Sequence, residues 1–233
     1  MDPTRLTSDS LEATYAAPAA SSLRTGRMTI EDVTVRTASL FAVLLAVGAV
    51  AWGLNSPGLA LIGFLGGFAL AMVNTFSKKV RPALILTYAG LQGLALGSIS
   101  RIMNDVYPGI VSQAVIATIC AFGGMLVAYR SGKIRVTPKF TRILIGSLIG
   151  YFVLSLITIF TGAPTGTAGT LIAVFGVGLA SFFILLDFDQ IERSIAQGVP
   201  QNESWRSAFG LMVTLVWLYM EVLRLISILR SGD

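Results

Sequence analysis

The sequence predicts an all-α polytopic membrane protein with seven transmembrane helices. Three observations carry that reading. Of 233 residues, 54% are hydrophobic and only 12% are charged, about half the charged share of an ordinary soluble domain. So few charges cannot cover a water-soluble chain of this length. Seven apolar stretches are each long enough to cross a hydrocarbon core about 30 Å thick as a helix of about 20 residues. Finally, the Lys and Arg residues gather in alternate connections between those stretches, as the bias of membrane topology requires.

Residues 1–34 are rich in Ser, Thr and Ala, carry Arg5, Arg24 and Arg27, and contain no apolar run. They read as a flexible N-terminal tail. The first hydrophobic stretch begins too late and runs too long to be the core of a signal peptide. Residues 35–233 form the membrane region. Span one runs from about Val35 to Leu54 and ends at the turn Asn55-Ser56-Pro57. Span two covers Gly58 to Phe76, and the basic loop Ser77 to Pro82 separates it from span three, Ala83 to Met103. After Asn104 to Gly109 comes span four, Ile110 to Tyr129. A long basic loop, Arg130 to Thr141, precedes span five, Arg142 to Thr161. The Gly/Thr/Pro loop Gly162 to Gly169 leads into span six, Thr170 to about Gln190, with a polar helical extension to about Gln197. Span seven, Ser207 to Leu229, follows Gly198-Val199-Pro200.

With seven spans, Arg5, Arg24, Arg27, Arg36, Lys78, Lys79, Arg81, Arg130, Lys133, Arg135, Lys139, Arg142, Arg193 and Arg206 share one face. The opposite face keeps Arg101 and Arg230. This places the tail in the cytoplasm and the short C-terminus outside. The loops after spans one, three and five are short and nearly uncharged, so the chain reads as three hairpins plus one helix.

Composition also excludes chemistry. No histidine is present, which removes Ser-His and Cys-His catalysis and His-ligated metals. Cys120, the single cysteine, lies in an apolar run and reads as a small buried hydrophobe. A pI near 9.7 would suggest nucleic acid in a soluble chain. Here the basic residues lie between apolar segments and set orientation instead, so no nucleic-acid partner is expected. No phosphate loop or dinucleotide fingerprint occurs, so no enzyme activity and no cofactor are expected. An intramembrane aspartyl protease also needs two acids on adjacent helices, but the second acid here is Glu and no Gly-x-Gly-Asp sequence occurs.

Within the spans, Gly63, Gly66, Gly67, Gly90, Gly93, Gly97, Gly176 and Gly178 mark close helix packing. Trp52, Trp205, Trp217 and Tyr219 read as interfacial belt residues. Gln92 reads as a hydrogen-bonding group between helices. Ionisable groups are concentrated in the last two spans: Asp187, Asp189 and Glu192 towards the end of span six, and Glu221 with Arg224 in span seven. A charge at the bilayer centre costs about 2.5–3.5 kcal/mol on insertion scales, so such groups face protein or water and have partners. Counted back from the turn at Pro200, Asp187 and Glu221 fall at comparable depth. Asp189 points about 200° away from Asp187 around the helix. Two adjacent carboxyls in a poor solvent cannot both ionise cheaply, and a shared proton relieves them. Loss of that proton frees hard oxygen ligands suited to Ca²⁺. The competing reading pairs Glu221 with Arg224, its i,i+3 neighbour, leaving Asp187 in interfacial water; Arg224 can instead extend to the outer face and leave Glu221 free.

At these residues the chain resembles the Bax-inhibitor (transmembrane Bax inhibitor motif) family, in its bacterial branch. Leu186-Asp187-Phe188-Asp189-Gln190-Ile191 is similar to the family's sixth-helix Tyr-Asp-Thr-Gln motif. Leu218-Tyr219-Met220-Glu221-Val222-Leu223-Arg224 is similar to its seventh-helix Leu-Tyr-Leu-Asp motif with a following Asn. Leu91-Gln92-Gly93-Leu94-Ala95-Leu96-Gly97 is similar to its third-helix Glu-Gly-x-x-x-Gly pattern. The resemblance implies six helices around a central seventh and a pH-sensitive Ca²⁺ leak in a bacterial plasma membrane. It makes Asp187 and Glu221 the proton-sensing and Ca²⁺-binding residues, with Arg224, Gln92 and Asp189 in support. It also implies an alternative, a regulatory protein that binds a membrane protease or a stress-response partner. Glu221 replaces the family's Asp, Gln92 its frequent Glu, and Arg224 its Asn. The family's basic partner in helix two has no counterpart here.

Overall fold

The computed structural model describes residues 26–132, 134–162, 164 and 166–232. Residues 1–25, which carry most of the expected flexible tail, lie outside the described residues. Seven helices follow in order: α1 Ile30–Leu54, α2 Pro57–Phe76, α3 Pro82–Val106, α4 Ile110–Arg130, α5 Pro138–Thr161, α6 Gly166–Ala196 and α7 Ser204–Ser231. All seven are long and apolar enough to cross a membrane, and no strand occurs among the described residues. Local chemistry sets the boundaries. Proline occupies the first position of α2, α3 and α5, where its fixed φ suits a helix start and no N–H is missed. The polar end of α6 stays helical to Ala196, as the sequence predicts.

The start of α1 corrects the expected boundary at residue 34. The Thr29 hydroxyl accepts the Asp32 N–H at 3.2 Å, and the Asp32 carboxylate accepts the Thr29 N–H at 3.1 Å. This capping box closes the first turn, and Glu31 and Asp32 suit the positive end of the helix dipole. Residues 26–28 are held as well. The Met28 N–H donates to the Val199 carbonyl at 2.9 Å, and the Gln201 N–H donates to the Gly26 carbonyl at 2.8 Å. The Met28 side chain is buried with Val33 and Ile191. The segment entering α1 therefore clasps the α6–α7 turn.

Two helices form the interior. α7 packs on α6, α1, α4 and α3, and Tyr151 of α5 reaches it as well. α3 packs on α1 and α2. The seventh helix is thus central, while α2 stands behind α3. It meets α7 where Arg206 donates to the Ser77 carbonyl at 3.1 Å. The expected glycine contacts explain how α3 lies so close to its neighbours. A methyl group on Gly93 would lie 2.5 Å from the Leu44 carbonyl oxygen, and one on Gly97 would meet the Gly48 carbonyl. Without a hydrophobic drive between helices in lipid, backbone approach of this kind supplies the packing. Gly178 has nothing comparable near it.

The alternation of spans gathers the starts of α1, α3, α5 and α7 and the ends of α2, α4 and α6 on one face, called here the basic face. Arginines tie its loops together: Arg36 donates to the Gln201 carbonyl at 3.1 Å and Arg193 to that of Val136 at 3.4 Å.

Candidate functional site

The seam between α6 and α7 holds both acids singled out from the sequence. Glu221 lies in the half remote from the basic face and is 8% exposed. The Tyr151 hydroxyl donates to its Oε2 at 2.7 Å, and the Trp217 indole N–H donates to its Oε1 at 3.0 Å. Trp217 precedes Glu221 by four residues, so the helix repeat stacks the two side chains on one face. Gly176 of α6 makes room for the cluster. A methyl group there would lie 2.5 Å from the Tyr151 hydroxyl and 2.6 Å from Glu221 Oε2. The carboxylate is fully engaged and closely packed.

Asp187 has a different setting. Its Oδ1 lies against Gly210 of α7, 3.7 Å from where a methyl group on that glycine would stand. Its Oδ2 is buried and has no hydrogen-bond donor among the described residues. Thr214 is the polar side chain facing it across the seam, but that hydroxyl donates to the Gly210 carbonyl of its own helix at 3.2 Å. A buried carboxyl oxygen without a donor is uncommon and calls for an explanation.

The structure does not bring the two acids together. Gly176 faces Glu221 and Gly210 faces Asp187. Eleven residues separate the members of each same-helix pair, Gly176 and Asp187 on α6, Gly210 and Glu221 on α7. At 1.5 Å per residue the carboxyls are about 16 Å apart in depth. The expectation of comparable depth, and with it a proton or Ca²⁺ held jointly by the two, is corrected. The reason lies in the connection. The sequence reading allowed several residues of loop after Pro200. The chain instead makes a single 3-10 turn, Gln201–Glu203, and runs directly into α7 at Ser204. Glu221 lies about three turns deeper than Asp187; the early start of α7 and the end of α6 at Ala196 both contribute. Between the two acids the seam is filled by Ala180, Ile184 and Leu218, all fully buried.

The model of the family described as Bax inhibitor 1 like matches residues 5–231. The chain belongs to that family. No curated protein matches it.

Arg224 does not lock onto Glu221. Among the described residues no ion pair joins them. Arg224 Nη1 donates to the Tyr151 hydroxyl at 3.2 Å, and that hydroxyl donates onward to Glu221. Tyr151 therefore stands between cation and anion. Asp189 points away from the seam and pairs with Arg193 at 2.7 Å. Gln92 is remote from both acids; its side chain lies against Gly67 of α2 and beside Tyr88. No three Asp, Glu or Cys side chains among the described residues come together as a metal cluster.

The sequence reading missed Tyr151 and gave Trp217 a different role. Trp217 and Tyr219 are not belt residues: the first serves Glu221, and the Tyr219 hydroxyl bonds that of Ser100 at 2.6 Å. Trp52 and Trp205 lie near helix ends, under Arg101 and Arg36 respectively. The signal for Trp217 was its four-residue spacing from an intramembrane acid. Tyr151, a phenol in the middle of an otherwise apolar span, was legible as a polar group in need of a partner.

Proposed function

We propose that this protein is a pH-sensitive cation leak, with Ca²⁺ as the ion, and not an enzyme. The path follows the α6–α7 seam. On this reading the protein resides in a bacterial plasma membrane with its N-terminus cytoplasmic and its C-terminus outside; the concentration of Lys and Arg on the basic face supports that orientation. The observation that carries the reading is the Asp187 oxygen buried without a donor. Such an oxygen fits a neutral carboxylic acid in a closed seam and penalises the anion. Loss of the proton puts a charge in the seam that only water or a cation can relieve. The Asp187 carboxyl, the Thr214 hydroxyl and added water are oxygen donors of the kind a hard divalent cation takes. The buried layer of Ala180, Ile184 and Leu218 must part for ions to pass, so the described arrangement is the closed one. Glu221, held by Tyr151 and Trp217, is a fixed station at the outer end. On this reading the leak grows as pH rises.

Ca²⁺ flux into liposomes, measured from pH 5 to pH 9, tests it. Asp187→Asn is expected to flatten the pH profile. Glu221→Gln is expected to alter the size of the leak and keep its pH dependence. An unchanged profile in Asp187→Asn would sink the proposal.

The regulatory alternative has one observation in its favour. The segment entering α1 is bonded to the α6–α7 turn, so a membrane-protein partner gripping the preceding residues would pull on both acid-bearing helices. A stoichiometric co-purifying partner, lost when residues 1–25 are deleted, is the result that reading requires.

A further inference from the structure

α1 and α4 flank a lateral groove floored by α6 nearer the basic face and by α7 beyond it. Two clefts make it up, meeting at Phe41 and Phe122. The one nearer the basic face has a volume of about 1090 Å³ and runs along α1 from Ile30 to Phe41, where Leu211 of α7 closes its inner end. Eleven residues of helix measure about 16 Å, the depth of one leaflet of a hydrocarbon core about 30 Å thick. The walls are mainly apolar and the mouth is charged. Among the charged groups at the mouth the acids are engaged: Asp189 pairs with Arg193, and Glu192 accepts the Tyr129 hydroxyl. Arg130 and Arg135 line the same mouth, and neither has an ion-pair partner among the described residues. Thr37, whose hydroxyl finds no partner among the described residues, lines the wall below them.

We propose that this cleft is a binding site for an anionic phospholipid of the leaflet on the basic face. The headgroup phosphate sits at Arg130 and Arg135, and one acyl chain fills the groove as far as Phe41 and Phe122. Charge complementarity selects the headgroup, and the match between cleft depth and leaflet thickness selects a lipid of that leaflet. The bound chain rests on Leu211, one residue beyond Gly210, which faces Asp187. The site is independent of the ion-leak reading.

Native mass spectrometry of the full chain, released from nanodiscs of equimolar phosphatidylglycerol and phosphatidylcholine, tests the proposal. The wild type is expected to retain one phosphatidylglycerol with about 25-fold preference, since Arg130 and Arg135 each contribute about a factor of five near an anionic headgroup. Arg130→Gln with Arg135→Gln is expected to abolish the preference. Ala38→Trp, at an exposed position on the groove wall, is expected to remove the retained lipid of either kind while the protein stays folded and monodisperse. Equal retention of both lipids by the wild type would overturn the assignment, as would phosphatidylglycerol retention that survives both variants.

Discussion

The two ends of the α6–α7 seam hold the same functional group in opposite ways. At the end remote from the basic face, Glu221 has a donor on each oxygen, and Gly176 lies so close that no side chain fits. At the end nearer the basic face, Asp187 has a buried oxygen with no donor, and Gly210 opposite it leaves ordinary van der Waals space. A satisfied and packed carboxylate stabilises one arrangement of the bundle. An unsatisfied one costs free energy in the same arrangement. One seam therefore contains a satisfied and an unsatisfied carboxyl about 16 Å apart in depth, and losing each should have different consequences.

Glu221→Ala is the most damaging change expected. It strands the Trp217 N–H and the Tyr151 hydroxyl, at about 1–3 kcal/mol for each unsatisfied group, so unfolding in mixed micelles should show a loss of about 2–5 kcal/mol. Gly176→Leu comes next, because overpacking costs about 1–3 kcal/mol and the collision here is with two polar groups rather than a flexible chain end. Tyr151→Phe should cost about 1.5–3 kcal/mol, the value of a hydrogen bond to a charged group. Its double-mutant cycle with Arg224→Gln should show coupling, as the phenol joins Arg224 to Glu221. At the other end the effects shrink or reverse. Asp187→Asn should change stability by no more than about 1 kcal/mol, because it removes a carboxyl that the fold leaves partly unsatisfied. Gly210→Ala should be neutral or stabilising by up to about 1 kcal/mol, since alanine favours the helix and there is room for its methyl group. If Gly210→Ala proves as damaging as Gly176→Leu, the contrast between the two ends is lost.

Much of the fold could be read from the chain because a bilayer leaves few choices. Backbone groups in lipid must bond within their own segment, so an apolar run of sufficient length becomes a helix. All seven helices followed from this, as did the polar continuation of α6 past Gln190. The start of α1 was misplaced because its first turn is held by Thr29 and Asp32, a polar signature within a segment scanned for hydrophobicity. The site was half legible. Intramembrane acids are costly enough to stand out, and Asp187 and Glu221 do lie in a common seam. Their separation was not legible, since it depends on how many residues the α6–α7 turn consumes.

The sequence by itself determined how many times the chain crosses the membrane, where its positive charge collects and which side chains cannot lie in lipid without a reason. Those properties follow from local composition and from one dominant solvent constraint. The tertiary structure alone decided that Tyr151 satisfies Glu221, that no described residue donates to one oxygen of Asp187, and that α1 and α4 stand apart over α6 and α7. Helix rotation and depth set these facts. Close contacts such as Gly97 against Gly48 fix both, and whether a neighbour's backbone fits into such a gap cannot be read from either partner alone.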